Sequence, residues 1–178
     1  GKTAEEMAEA LAGGLCQFNV ESIEEAGTLS QVAVASGLDA RVGLRINPDV
    51  EAGTHAKITT GTADSKFGIP AADALEAFRA VSRLPGLKVQ GITVHIGSQL
   101  TDLKPLEAGF RRVGELIAAL RDEGIAISLA DLGGGLGVPY EPGEPAPPTP
   151  AAYGAMVARV TSGWGIRLAF EPGRLIVA

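Results

Sequence analysis

The run Asp131-Leu132-Gly133-Gly134-Gly135-Leu136-Gly137-Val138-Pro139-Tyr140 constrains this chain more than any other stretch. The alternating segment before it, Ile125-Ala126-Ile127-Ser128-Leu129, predicts a strand of a parallel sheet. Three consecutive glycines then strip the side chains from the strand's carboxyl end. Glycine costs backbone entropy, so such a run is expected where backbone approaches something closely or takes positive φ. Unobstructed N–H groups in such a turn make a concave anion site, most often for phosphate. A tight βα turn or a flexible linker is the competing reading, and the glycines alone do not decide.

The remaining sequence supplies the context. Its 178 residues, 46% hydrophobic and 20% charged, are enough to bury a core, and the length suggests one domain. A net charge of −6 without any basic block argues against a nucleic-acid partner. One cysteine, Cys16, excludes an internal disulfide framework and a multi-cysteine metal site, and its apolar neighbours Phe18 and Val20 suggest a buried thiol. No apolar stretch approaches the roughly 20 residues of a membrane span, and no signal peptide is visible, so a cytoplasmic protein is expected.

Along the chain, Thr3 caps a first helix whose apolar stripe is Met7, Ala10 and Leu11, ended by Gly13-Gly14. The opening Gly1-Lys2-Thr3 lacks the upstream glycine and strand of a P-loop. Cys16 to Val20 is a short strand, and Ser22 with Glu25 forms a capping box for the next helix. Arg41 to Asn47 is a strand stopped by Pro48. The polar loop Asp49 to Gly68 carries His55, Lys57, Thr59, Thr60 and Lys66; at roughly twenty residues it is of the length usually reserved for function. Ala71 to Leu84 is helical, Val89 to Ile96 a strand, and Leu103 to Glu123 an amphipathic helix with Leu106, Phe110, Val113, Leu116, Ile117 and Leu120 on one face. Pro142 to Pro150 is a surface loop, Ala151 to Val160 a helix, and Arg167 to Glu171 a strand that runs into Pro172-Gly173-Arg174.

Strand and helix thus alternate at roughly 35–45 residues, the spacing of βαβ units around a parallel sheet. In such proteins chemistry collects at the carboxyl ends of the strands. Those ends carry Asn47, then His95-Ile96-Gly97-Ser98-Gln99, then Gly133-Gly134-Gly135, then Glu171-Pro172-Gly173-Arg174. A dinucleotide fingerprint would need glycine where Val138 stands. A (β/α) barrel fits better, although five or six strands are too few to close eight, and a piece of a larger protein is expected.

The segments Phe18-Asn19-Val20-Glu21-Ser22, Arg45-Ile46-Asn47-Pro48-Asp49, Thr54-His55-x-Lys57-Ile58, Lys66-Phe67-Gly68, His95-Ile96-Gly97-Ser98-Gln99, Asp131-Leu132-Gly133-Gly134-Gly135-Leu136-Gly137 and Glu171-Pro172-Gly173-Arg174 occur together and in this order. In that order the chain resembles, from end to end, the diaminopimelate decarboxylase family of pyridoxal-phosphate enzymes with an alanine-racemase-like barrel. The resemblance implies an α/β fold, a (β/α)8 TIM-like barrel left incomplete, with residues 1–178 forming part of the cofactor-binding barrel domain. It implies decarboxylation of meso-2,6-diaminopimelate to L-lysine and carbon dioxide. Another basic amino acid of the ornithine or arginine branch, or a non-catalytic cofactor-binding barrel, remain as alternatives.

The resemblance also implies residue roles. Gly133, Gly134 and chiefly Gly135 would bind the phosphate of pyridoxal 5'-phosphate, with Ser98 adding a hydroxyl and Pro172 and Gly173 completing the cofactor site. Arg174 would contact phosphate or substrate carboxylate. Glu171 would pair with the pyridine nitrogen and His95 would lie against the ring, the two being the catalytic residues. Asp131 reads as fixing the loop backbone, Lys66 as a surface lysine and His55 as structural or substrate-adjacent. No metal is implied. The family's Schiff-base lysine, in a tyrosine-alanine-x-lysine-alanine context, matches none of Lys2, Lys57, Lys66, Lys88 and Lys104, and the carboxy-terminal β-domain has no counterpart. These residues alone are therefore expected to be inactive, the intact enzyme being a homodimer with a shared active site.

Overall fold

The computed structural model describes residues 1–50, 67–140 and 146–177. Six strands form one sheet with every pairing parallel: β1 (Phe18–Val20), β2 (Ala40–Asn47), β3 (Ile69–Pro70), β4 (Leu87–Thr93), β5 (Leu129–Asp131) and β6 (Arg167–Ala169). The order is β1-β2-β4-β5-β6, with β3 beside β2. Between them run α1 (Ala4–Ala12), α2 (Ile23–Ser36), α3 (Ala74–Val81, after a 3-10 turn), α4 (Lys104–Asp122), α5 (Pro150–Val160) and α6 (Gly173–Val177).

Local chemistry explains the helix starts. Thr3 accepts the Glu6 N–H while the Glu6 side chain accepts from Thr3 N–H, a reciprocal box that satisfies two otherwise orphaned donors. Ser22 accepts the Glu25 N–H at 3.1 Å, but Glu25 reaches past the cap to Glu21 N–H at 2.7 Å, so only half of the expected box forms. Thr149 caps α5 in the same manner as Thr3 and Ser22, by accepting the Ala152 N–H. In α4 the expected face is the buried one: Leu106, Phe110, Val113, Ile117 and Leu120 point at the sheet.

The strands divide their side chains by parity. Val20, Leu44, Ile46, Ile92, Val94, Ala130 and Leu132 are buried in the core they share with Leu29, Phe78 and Phe110 of the helices. Each large apolar side chain fully buried there stabilises the fold by about 1.5–3 kcal/mol. The opposite face carries Asn19, Gly43, Arg45, Gly91, Thr93 and Asp131, in register rows such as Arg45–Thr93–Asp131. That face is strongly concave. Asn19 Nδ2 donates to Asp131 Oδ2 at 3.2 Å although β2 and β4 intervene, whereas a flat sheet would hold β1 and β5 about 14 Å apart. The sheet is the wall of a (β/α) barrel, with helices outside and a polar lumen.

Three expectations are corrected. Cys16 is exposed, because β1 begins only at Phe18 and Cys16 lies in the preceding turn, its carbonyl accepting from Gln90 Nε2. The alternation of Ile125 and Ile127 does not mark a strand. It marks the helix exit packing under the core, with Ile125 N–H closing on Leu120 O, and β5 starts four residues later. The strand expected over Val89–Ile96 runs from Leu87 to Thr93, and beyond it Val94 N–H still reaches Asp131 O. The loop residues His55, Lys57, Thr59, Thr60 and Lys66 lie outside the described residues.

Candidate active site

Shifting β5 toward the glycines makes Asp131 the last strand residue, so the loop springs directly from the lumen wall. Asp131 is buried, and its Oδ1 accepts the Gly133 N–H at 3.0 Å. That bond turns the chain at Gly133, where φ is +67°, and Gly135 follows at φ +100°.

The glycines are required by backbone crowding. A Cβ on Gly133 would strike Val94 O, one on Gly134 would strike Glu171 O, and one on Gly135 would strike Gly97 O. Three strand-end loops therefore pack backbone against backbone, sewn by Glu171 N–H to Gly133 O at 2.8 Å and Leu100 N–H to Gly135 O at 2.8 Å. Gly134 N–H points at His95 Nδ1, 3.4 Å away. Two of the three glycine donors are thus spent inside the protein. Gly135 N–H has no partner among the described residues, nor does the half-buried Ser98 hydroxyl.

His95 and Glu171 share a cavity of about 370 Å³ with Lys2, Asn19, Glu21, Arg45 and Thr93. Burial, reinforced by the Arg45 guanidinium and only partly opposed by Asp131, holds the His95 pKa below its ordinary value. Accepting a hydrogen bond at Nδ1, the neutral ring carries its proton on Nε2. Glu171 is partly open to solvent, yet burial first and the Asp131 carboxylate second push its pKa up, against the pull of Arg45. Arg45 is itself held by Glu21 at 2.7 Å and lies over the Phe67 ring, 5.4 Å from its centre. Lys2 Nζ donates to Asn19 O at 2.7 Å and to Glu25 at 2.9 Å.

The structure thus brings together His95, the glycine loop and Glu171. Pro172 is half-buried, and Gly173 N–H returns to Glu171 O at 2.8 Å, which shapes the turn bearing the carboxylate. Arg174 stands apart from this cavity, donating to the Tyr140 hydroxyl with its guanidinium 5.5 Å over the Tyr140 ring. Among the described residues no cluster of His, Cys, Asp or Glu is placed to hold a metal, and no helix is long and apolar enough to cross a membrane. Sequence reasoning missed Asn19, Arg45 and Thr93 as lumen residues. The signal was there: each is a polar residue between two apolar ones, Phe18-Asn19-Val20, Leu44-Arg45-Ile46 and Ile92-Thr93-Val94, marking the inward face of a strand.

Comparison with known proteins fits this geometry. The family profile described as "Pyridoxal-dependent decarboxylase, pyridoxal binding domain" matches residues 1–178. The diaminopimelate decarboxylase of Zymomonas mobilis is 57% identical over 178 residues, covering 100% of this chain and 42% of that protein. That of Pseudomonas fluorescens is 46% identical over 179 residues, again 100% of this chain and 42% of the relative. The crystal structure of diaminopimelate decarboxylase from Helicobacter pylori complexed with L-lysine matches with a TM-score of 0.94 at 36% identity, over 100% of this chain and 45% of that one. The chain therefore spans less than half the length of these relatives. Matched along its whole length, it belongs to the pyridoxal-dependent decarboxylases and lies within their pyridoxal-binding domain.

Proposed function

We propose that the full-length protein is a carboxy-lyase dependent on pyridoxal 5'-phosphate that converts meso-2,6-diaminopimelate to L-lysine and carbon dioxide, the last step of lysine biosynthesis. The carrying observation is that the Glu171 carboxyl and the neutral His95 imidazole line one cavity beside a glycine loop. Relatives at 46% and 57% identity that bear the name diaminopimelate decarboxylase support the substrate.

The groups present suit the cofactor. Gly135 N–H and the Ser98 hydroxyl, both without a partner among the described residues, are donors for its phosphate, while Gly133 and Gly134 set the path of the loop. When bound, the cofactor supplies an electron sink for the electron pair left on the α-carbon as carbon dioxide departs. Glu171 would pair with the ring nitrogen and keep it protonated. Burial first and the Asp131 carboxylate second hold the Glu171 pKa above the ordinary value, and a cationic ring nitrogen would offset both by favouring the carboxylate. Neutral His95 offers the ring an uncharged face. Pro172 and Gly173 fix the turn that presents Glu171, and Arg174 takes a phosphate or the substrate carboxylate as a two-pronged donor. The remaining catalytic groups come from segments beyond these 178 residues and from the partner subunit of a cytoplasmic homodimer.

The test is the absorption spectrum of the full-length protein with pyridoxal phosphate, followed by addition of meso-diaminopimelate and an assay for lysine. A cofactor band with lysine produced is the expected result. A band without lysine moves the substrate to the ornithine or arginine branch, or the protein to a binding role. Absence of a band overturns the site.

A further inference from the structure

We propose that Asn19 is a positioning residue of this site: by gripping Asp131 it fixes the glycine loop and the Glu171 end of the cavity against the β1 wall. The proposal rests on the cofactor reading above and gives Asn19, so far only part of a motif, a role in the site.

Asn19 has its orientation dictated. Its Oδ1 accepts from Gln17 Nε2 at 2.8 Å and from Thr93 Oγ1 at 2.9 Å, which uses both lone pairs. Its Nδ2 must then face the other way, where it donates to Asp131 Oδ2 at 3.2 Å. The other oxygen of Asp131 holds the Gly133 N–H, and Gly133 O in turn receives the Glu171 N–H. One uninterrupted path of hydrogen bonds therefore runs from β1, across the lumen, to the glycine loop and on to Glu171. It joins two strands that share no ladder.

The lumen floor is shaped for this path. On the inward face of β2 and β4 the positions nearest Gln17 are Gly43 and Gly91, and a Cβ at either would collide with the Gln17 side chain. Gln17 thus fills space that side chains would otherwise occupy, and from there it orients Asn19. Gln90 Nε2 steadies Gln17 Oε1 at 3.4 Å.

The chemistry requires an amide at position 19. Leucine would take the Asn19 amide away from the buried Asp131 carboxylate and the buried Thr93 hydroxyl. Aspartate would set two carboxylates face to face, so one must take a proton or turn away. Either change loosens Asp131, whose charge acts on Glu171. The other charged and titratable groups around Glu171 are Arg45 from β2, His95 after β4, and Lys2 and Glu21 on the same cavity. Of these, Lys2 holds the Asn19 backbone carbonyl at 2.7 Å, a contact distinct from the side-chain tie to Asp131.

The test uses the full-length holoenzyme with Asn19→Asp, Asn19→Ala and the exchange Asn19→Asp/Asp131→Asn. The readouts are the pyridoxal-phosphate dissociation constant, the pH at which the cofactor absorption band titrates, and kcat and KM separately. Asn19→Asp is expected to weaken cofactor binding about tenfold and to move the band's titration by about half a pH unit or more. The exchange restores a donor–acceptor pair across the lumen and keeps an acceptor for the Gly133 N–H, so it should recover most of the lost affinity. Asn19→Ala adds no charge and carries the affinity test where the Asp variant folds poorly. Wild-type affinity and band titration in a folded Asn19 variant, or an exchange no better than the single variant, would overturn the proposal. Wild-type protein that binds cofactor without making lysine removes the substrate assignment and leaves these spectra to decide Asn19. Wild-type protein with no cofactor band removes both.

Discussion

Gly134→Ala isolates the packing of the loops from backbone preference, since Gly134 does not take a positive φ. Its added Cβ would lie far inside the 3.0 Å that Cβ atoms respect, against the Glu171 carbonyl. Relief requires the two loops to part by roughly 1 Å. That separation breaks the 2.8 Å bond from Glu171 N–H to Gly133 O and the 3.4 Å contact from Gly134 N–H to His95. Two lost hydrogen bonds at about 1 kcal/mol each, with overpacking of about 1–3 kcal/mol, give a destabilisation of about 3–5 kcal/mol. The same displacement carries Glu171 away from the loop, and a misplacement of roughly 1 Å costs about a hundredfold in rate. The assay is urea unfolding of the full-length apoprotein together with cofactor titration and kcat. Gly154→Ala in α5, where nothing lies within 4 Å of the new methyl group, is the control. It should gain up to about 1 kcal/mol. A Gly134→Ala protein within about 0.5 kcal/mol of wild type, with unchanged cofactor affinity, would refute the crowding account.

Three further outcomes are expected. Because His95 has a depressed pKa in the folded state, the stability it confers is present above the ordinary imidazole value near 6.5 and is lost as pH falls through and below it; His95→Gln should flatten that part of the apoprotein's unfolding profile. Glu171, raised, has the opposite sign. Its contribution is present below the ordinary value of 4.5 and is lost as pH rises through the folded value, so Glu171→Gln should make the apoprotein less sensitive to rising pH above 4.5. Phe110 is fully buried under the sheet and meets Tyr153 edge-on at 6.4 Å, so Phe110→Ala should cost about 3–5 kcal/mol in unfolding free energy.

Much of the architecture was legible because its causes are local. Thr3, Ser22 and the glycine pair after α1 mark helix ends through hydrogen bonds a few residues long, and the α4 face follows from a 3.6-residue period. The parallel sheet followed from spacing. What could not be read were the consequences of curvature. Nothing near Asn19 in the chain announces that it meets Asp131, because the contact exists only once four strands have curled into a wall. The β5 boundary was misplaced for a related reason. Ile125 and Ile127 alternate as a strand would, but tertiary packing at the exit of α4 claims them.

The glycine loop shows why a motif can be found correctly for an incomplete physical reason. Read as sequence, three bare residues suggest backbone laid open to an anion. In the fold the absence of Cβ atoms is what lets Val94, Gly97 and Glu171 carbonyls close on the loop, and the Gly133 and Gly134 donors are consumed by Asp131 and His95. Of the three glycines, Gly135 alone keeps an N–H without a partner among the described residues. A phosphate bound there would find the Gly135 N–H and the Ser98 hydroxyl as donors without a partner among the described residues, and cationic charge would add to them. Arg174 is the cation on the adjacent turn, but its guanidinium rests on Tyr140. Tyr140→Phe keeps the aromatic face and removes the hydroxyl acceptor. If Arg174 serves the phosphate, this change should tighten pyridoxal-phosphate binding by a few-fold, since one competing hydrogen bond is lost. Arg174→Lys should weaken binding, because the planar fork is lost while the charge remains. Equal affinity in both variants and the wild type would remove Arg174 from the cofactor and leave it to the substrate carboxylate.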